Sequence, residues 1–306
     1  MELSILTPAD AAFRSYWVSR LKRISGNFVN DFEEVRAELS EDIKNNGLLS
    51  LKRHVRLCGN IPESYGHDTS EEKLYSKYTD AVLCEAYKAI GLKSIVITER
   101  ADAADVEAFG KDKFSFVADA KAFRLSRTAK NQKDFKVQAM DGWKKGKPYA
   151  MVVCPIYQLP SSSSQIYMQA SSRNVCVFTY SHLLTVINIS EEFGPDVAER
   201  KLLDIFEAIK ISQPSKSSLD YWRTVNKAMI SDSDKIAEFW KVEKTAVDDV
   251  LKIAKEEDLK FLAEVREKIV RMDHQEAIDA LLDFTKIDSK IKQIKSVTHG
   301  GVINLV

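Results

Sequence analysis

Four cysteines, seven prolines and eleven glycines in 306 residues are too few for several kinds of protein. Cys58, Cys84, Cys154 and Cys176 are scattered, keep apolar neighbours such as Val153 and Val175, and show no paired spacing. That pattern argues against a disulfide framework or a zinc site and fits buried thiols in a reducing cytoplasm. The five histidines are equally dispersed. No run approaches the roughly 20 consecutive apolar residues that a membrane span needs, so no membrane partner is expected. Met1 to Asp10 carries acids but no basic stretch, unlike a secretory signal. A glycine-rich phosphate loop is missing, which disfavours ATP use. No repeat recurs at a fixed period. Nor is there net charge, since 45 Lys and Arg balance 45 Asp and Glu.

What is present suits a globular chain with one large core and an appended helical part: 44% hydrophobic and 29% charged residues. Helical periodicity runs over 12–21 and 28–43, where Phe28, Phe32, Val35, Leu39 and Ile43 share a face, and it breaks at Asn45-Asn46-Gly47. After a loop at 59–68, Thr69 or Ser70 caps a helix over 71–90 that stops at Gly91. Strands are expected at 94–98, 114–123, 149–154 and 174–179, with a basic helix between Thr128 and Trp143. Ser161 to Ser164 reads as a surface loop. From Ser181 onward the pattern is helical: 183–189, 196–211, 219–230, 234–272 and 274–296, with a linker at 213–218. The order predicts an α/β fold with a mixed central sheet flanked by helices and extensive further helices, mainly C-terminal. Three regions follow: an N-terminal helical region (1–60), an α/β core (61–190) and a helical region (191–306).

Charge is unevenly distributed. Lys121 to Lys147 holds nine basic residues against Asp134 and Asp141. A solvated helix face explains most charge runs, but this one has a single sign and abuts a pair of acids. In the strand expected at 114–123, Asp119-Ala120-Lys121 sets an acid and an amine two residues apart, hence on the same face, at one edge of the sheet. The acid-x-lysine triplet also occurs at Asp42, Glu71, Glu199, Asp258 and Asp288, always within helical patterns, where residues two apart diverge. Asp105 stands fourteen residues upstream. Two carboxylates converging with the Ala120 carbonyl make an all-oxygen site suited to Mg²⁺. Lys121 is placed to orient or deprotonate a water and to stabilise developing charge. The plainer alternative is an edge strand bearing a surface ion pair.

The stretch Val117-Ala118-Asp119-Ala120-Lys121, then Phe123 through Val137, resembles the active-site strand and following helix of the HindIII family of type II restriction endonucleases. Glu72-Lys73-Leu74 with Ser76-Lys77, the Pro155 to Pro160 segment, Ser164-Gln165-Ile166, His182-Leu183 and Glu276-Ala277-Ile278 with Ala280-Leu281-Leu282 extend it in order. The resemblance implies a metal-dependent nuclease fold acting as a homodimer on palindromic double-stranded DNA. It also implies Mg²⁺ as cofactor (Mn²⁺ as substitute), Asp105 and Asp119 as metal-binding acids, and Lys121 as the catalytic lysine. The family's spacing between the two acids is one residue longer, a difference the loop Gly110 to Lys113 absorbs. Asp102 competes with Asp105, which is preferred because Val106 follows it as in the family. Glu72 is a further candidate acid, or equally a solvated first-turn helix acid favoured by the macrodipole.

For DNA the segment offers Arg124, Ser126, Arg127, Asn131 and Gln132, with Lys130, Lys133 and Lys136 for phosphates. Since the resemblance is densest there, the expected target is AAGCTT, cut after the first A to leave four-base 5′ overhangs, in a host that carries a protective DNA methyltransferase. A repair nuclease on the same core and a non-catalytic DNA-binding protein are the competing readings. Trp222, Trp240 and Phe239 read as core, with 216–272 as an alternative dimer surface, and His182 as a structural histidine.

Overall fold

The computed structural model describes residues 4–98, 103–127, 132–212, 217–231 and 233–296, with 132 and 133 in backbone only. Helix α1 (Pro8–Leu21) starts where Asp10 Oδ2 accepts the Thr7 N–H at 2.8 Å, which pairs a first-turn donor and suits the helix dipole. Helix α2 (Phe28–Leu57) is longer than its sequence pattern suggests. Gly47 leaves helical geometry at φ 68° and ψ −160°, and helical winding resumes beyond it. That single kink returns Leu51 and Val55 to the core, and glycine accepts the positive φ without steric cost.

Helix α3 (Ser70–Ala89) is capped by Thr69, whose hydroxyl accepts from the Glu72 N–H. It ends before Gly91, which takes φ 101°. Five strands follow, with α4 (Gln132–Phe135), α5 (Val137–Trp143) and α6 (Gln165–Ser172) among them: β1 (Lys93–Val96), β2 (Val106–Phe109), β3 (Ser115–Ala120), β4 (Tyr149–Cys154) and β5 (Val175–Thr179). They form one mixed sheet in sequential order, β1–β2–β3 antiparallel and β3–β4–β5 parallel.

Beyond the continuation of α2 past Gly47, the structure departs from the sequence expectations elsewhere too. The β2 strand was not foreseen, being four residues of mixed character. Within the single basic helix expected at 128–143, Lys136 adopts φ 47° and separates α4 from α5. Ser161 to Ser163 are exposed, as the expected surface loop requires, and Ser164 ends that loop by accepting from the Ile166 N–H to cap α6. Finally, β3 is the central strand and not at an edge. Phe116 through Ala120 are all buried, because α3 packs on β3 and sheet neighbours close both sides. An exposed ion pair on an edge strand is therefore excluded.

Helices α7 (Tyr180–Phe193), α8 (Pro195–Ile211), α9 (Ser218–Ile230) and α10 (Asp234–Arg271) continue the chain, then α11 (His274–Thr285) and α12 (Ile287–Ser296). The core joins Tyr87, Phe116, Phe206 and Tyr149, the last two stacked at 4.8 Å. All four cysteines are buried thiols. The buried His182 is bonded to Thr179 and Asn226 and packed against Trp222 and Trp240. The chain divides into two compact units, Met1–Glu257 and Asp258–Val306. Among the described residues no helix is long and apolar enough to cross a membrane.

Candidate metal centre

Antiparallel pairing sets Val106 opposite Ala118. Carried on by one step, the register brings Asp105, the residue before β2, opposite Asp119 near the end of β3. A fourteen-residue separation thus becomes adjacency through a short hairpin. The third acid comes from a helix. Asp80, on the face of α3 that packs against the sheet, joins Asp105 and Asp119, with one carboxylate oxygen of each within 4.8 Å of the others. Asp80 and Asp119 are buried, and Asp105 is half-buried.

Two amines are set among these acids. Lys77, one turn before Asp80 on α3, donates to Asp80 Oδ2 at 3.2 Å and to Asp105 Oδ1 at 2.5 Å. Lys121 donates to Asp119. Just beyond β3, the Lys121 N–H reaches Val153 O at 2.7 Å and its C=O accepts from the Tyr180 hydroxyl at 3.0 Å. Because backbone groups alternate along a parallel ladder, the Ala120 carbonyl then faces away from β4, toward the side where β2 and Asp105 lie.

The electrostatics call for a cation. Burial pushes the Asp80 carboxyl well above its ordinary range, and the nearby Asp105 charge adds to this. Burial likewise raises Asp119, the Lys121 charge opposes it, and Asp105 raises it further. Taken as ionised, the three carboxylates exceed the two ammoniums by one charge in a largely dry site, which favours a bound positive ion. The donors are all oxygen, with no histidine or cysteine in the group among the described residues, so a hard divalent cation such as Mg²⁺ fits them better than zinc.

The other candidates lie elsewhere or have other partners. Glu72 is not in the acid group: its Oε1 accepts from Arg124 at 3.1 Å and its Oε2 from the Asp68 N–H at 2.7 Å. Arg124 is buried and spends its remaining donors on the carbonyls of Pro62, Tyr65 and Gly66. It therefore fastens the loop before α3 to the end of β3. Ser126 and Lys136 are exposed, with the Lys136 amine over the Trp143 ring. Arg127 pairs with Asp134 at 2.5 Å and covers the Phe123 ring. Lys130, Asn131 and the competing Asp102 lie outside the described residues, as do the side chains of Gln132 and Lys133.

Asp80 and Lys77 were missed from sequence. One signal was available: Asp80 is a lone acid inside the run Tyr78-Thr79-Asp80-Ala81-Val82-Leu83, and an acid on a buried helix face needs a charged partner.

Comparison with known proteins identifies the family. A family model described as HindIII restriction endonuclease matches residues 15–298. The type II restriction enzyme HindIII of Haemophilus influenzae is 32% identical over 258 residues, covering 80% of this chain and 83% of that protein. With a match across nearly the whole chain and an acid cluster at the end of its central strand, the protein belongs to the HindIII restriction endonuclease family.

Proposed function

We propose that this chain is a type II restriction endonuclease that hydrolyses phosphodiester bonds of double-stranded DNA at a palindromic site in a Mg²⁺-dependent reaction, with Mn²⁺ as a working substitute. The observation that carries it is the convergence of Asp80, Asp105 and Asp119, with Lys121 on Asp119, in a chain of this family. Asp105, Asp119 and the Ala120 carbonyl would hold the cation, with Asp80 as a third acid. When bound, Mg²⁺ supplies Lewis-acid polarisation of the scissile phosphate and charge neutralisation.

The remaining chemistry belongs to side chains. Lys121, anchored through its backbone by Val153 and Tyr180, presents a short-range positive charge where negative charge develops on phosphorus-bound oxygens. As its ammonium is held by Asp119, it is placed to orient the attacking water and to stabilise the hydroxide formed as the water gives up a proton to solvent, while the leaving oxygen takes one up. The water oxygen forms the new bond to phosphorus as the bond to the leaving oxygen breaks. Arg127, Lys130, Lys133 and Lys136 suit phosphate contacts, and Asn131 and Gln132 suit base edges.

Cutting both strands of a palindrome calls for two such sites, hence a homodimer. Residues 61–190 would form the catalytic core and 191–306 the part for dimerisation and DNA clasping. Similarity to the Haemophilus enzyme supports AAGCTT as the target, cut after the first A, and a DNA methyltransferase as the protective partner of the system. Digestion of a mapped plasmid with Mg²⁺ tests this: a HindIII ladder is expected, and another ladder, or none, overturns it.

A further inference from the structure

The second compact unit, from Asp258 onward, has helices without a core: no residue of α11 or α12 is buried. Apolar side chains nonetheless recur at helical spacing, with Ile278, Leu281 and Leu282 on α11 and Ile287, Ile291 and Ile294 on α12. Leu281 is 62% exposed and Ile294 72%. Stripes of this kind favour burial by roughly 25 cal/mol per Å², and soluble monomers seldom leave large contiguous ones facing water.

The charges of the two helices are segregated. Asp273 caps α11, which carries Glu276, Asp279 and Asp283 and no lysine or arginine. Lys286 joins it to α12, which carries Lys290, Lys292 and Lys295 against Asp288 alone. Among the described residues, none of Asp279, Asp283, Lys290, Lys292 or Lys295 forms an ion pair. Acidic and basic apolar-striped helices, one residue apart and with these charges outside any ion pair among the described residues, make a surface complementary to itself. That is the requirement of a twofold contact, in which residue i meets j and j meets i. DNA or an anionic lipid surface would be repelled by α11 immediately beside α12.

We propose that the α11–α12 pair is the dimerisation surface, α11 of each copy lying on α12 of the other with the apolar stripes between them. The assignment rests on the homodimer reading above. Its test is sedimentation velocity of the full-length chain without DNA, with helicity followed by circular dichroism. Wild type should sediment as a dimer. Asp279→Lys with Asp283→Lys reverses α11, and Lys290→Glu with Lys295→Glu reverses α12. Each variant alone should dimerise about a hundredfold more weakly, as expected where like charges meet at a cost of a few kcal/mol. An equimolar mixture should restore the dimer, since every reversed helix then faces its opposite sign. If either variant dimerises alone as wild type does, or the mixture stays monomeric, the assignment is overturned. A monomeric wild type overturns the homodimer reading itself.

Discussion

Lys77 Nζ lies 2.5 Å from Asp105 Oδ1 while also holding Asp80 at 3.2 Å, so an amine from α3 bridges two carboxylates of the candidate metal centre. A positive charge there stabilises the clustered acids in the absence of another cation. It also competes with any cation that binds them. Lys77→Met should therefore tighten Mn²⁺ binding in the absence of DNA by about tenfold or more, because a unit charge about 4 Å away is worth on the order of several kcal/mol at protein-surface screening. The same variant should melt lower in EDTA. Isothermal titration and thermal melts measure both; an unchanged Mn²⁺ affinity rejects the competition.

Asp119→Asn and Lys121→Ala should each lower DNA cleavage by about 10²–10⁴, the usual cost of removing a group that acts in the transition state. Specific duplex binding should persist in a gel shift. Retention of full cleavage by both variants would mean that the reaction is carried elsewhere.

Asp80 joins Asp105 and Asp119 only through tertiary packing. Asp80→Asn should weaken Mg²⁺-dependent cleavage and Mn²⁺ affinity by about 10–100-fold, the range typical when a group supporting a metal site is lost. Normal metal affinity in a folded Asp80→Asn protein would confine this residue to pairing with Lys77.

Arg124→Ala should act on stability ahead of DNA recognition. Its guanidinium is buried, bonded to Glu72 and to three carbonyls of the 62–66 loop, and removing one partner of such a pair costs roughly 3 kcal/mol. Denaturant melts check this. An unchanged midpoint together with lost site recognition would favour a base-reading Arg124 instead.

Acid should weaken the fold through His182. Burial lowers its pKa to about 4, only partly offset by Asn226, against about 6.5 in an unfolded chain. Between these values the unfolded state binds the extra proton, so stability is full above pH 6.5 and declines toward pH 4, by roughly 3 kcal/mol in all. His54, also lowered by burial despite its bond to Asp42, contributes in the same direction. Denaturant melts across this range should show a shallower slope for His182→Gln; an identical slope assigns the acid sensitivity to other groups.

Much of the fold was legible from local patterns. The β4 strand lies at 149–154 as read, and α3, α8 and α9 fall within a residue or so of their periodic stripes. Short-range physics suffices there, because apolar spacing and caps such as Thr69 set an element with little help from the rest of the chain. Where a single residue's backbone state decides, the pattern misleads: Gly47 kinks α2 without ending it, and Lys136 divides the basic helix.

The candidate site divides in the same way. Asp119 and Lys121 could be singled out because strand alternation is local, and Asp105 through the family resemblance, while the β2–β3 register that sets it opposite Asp119 came from the structure. Asp80 and Lys77 reach the site only when α3 docks on the sheet, a packing event between segments that no spacing in the sequence encodes. The same docking, with the loop before it, turned Arg124 inward, where its donors must be satisfied by buried carbonyls. The sequence by itself determined the elements and the acid-x-lysine strand. Tertiary packing decided which charges share a low-dielectric space, and hence which of them act on one another.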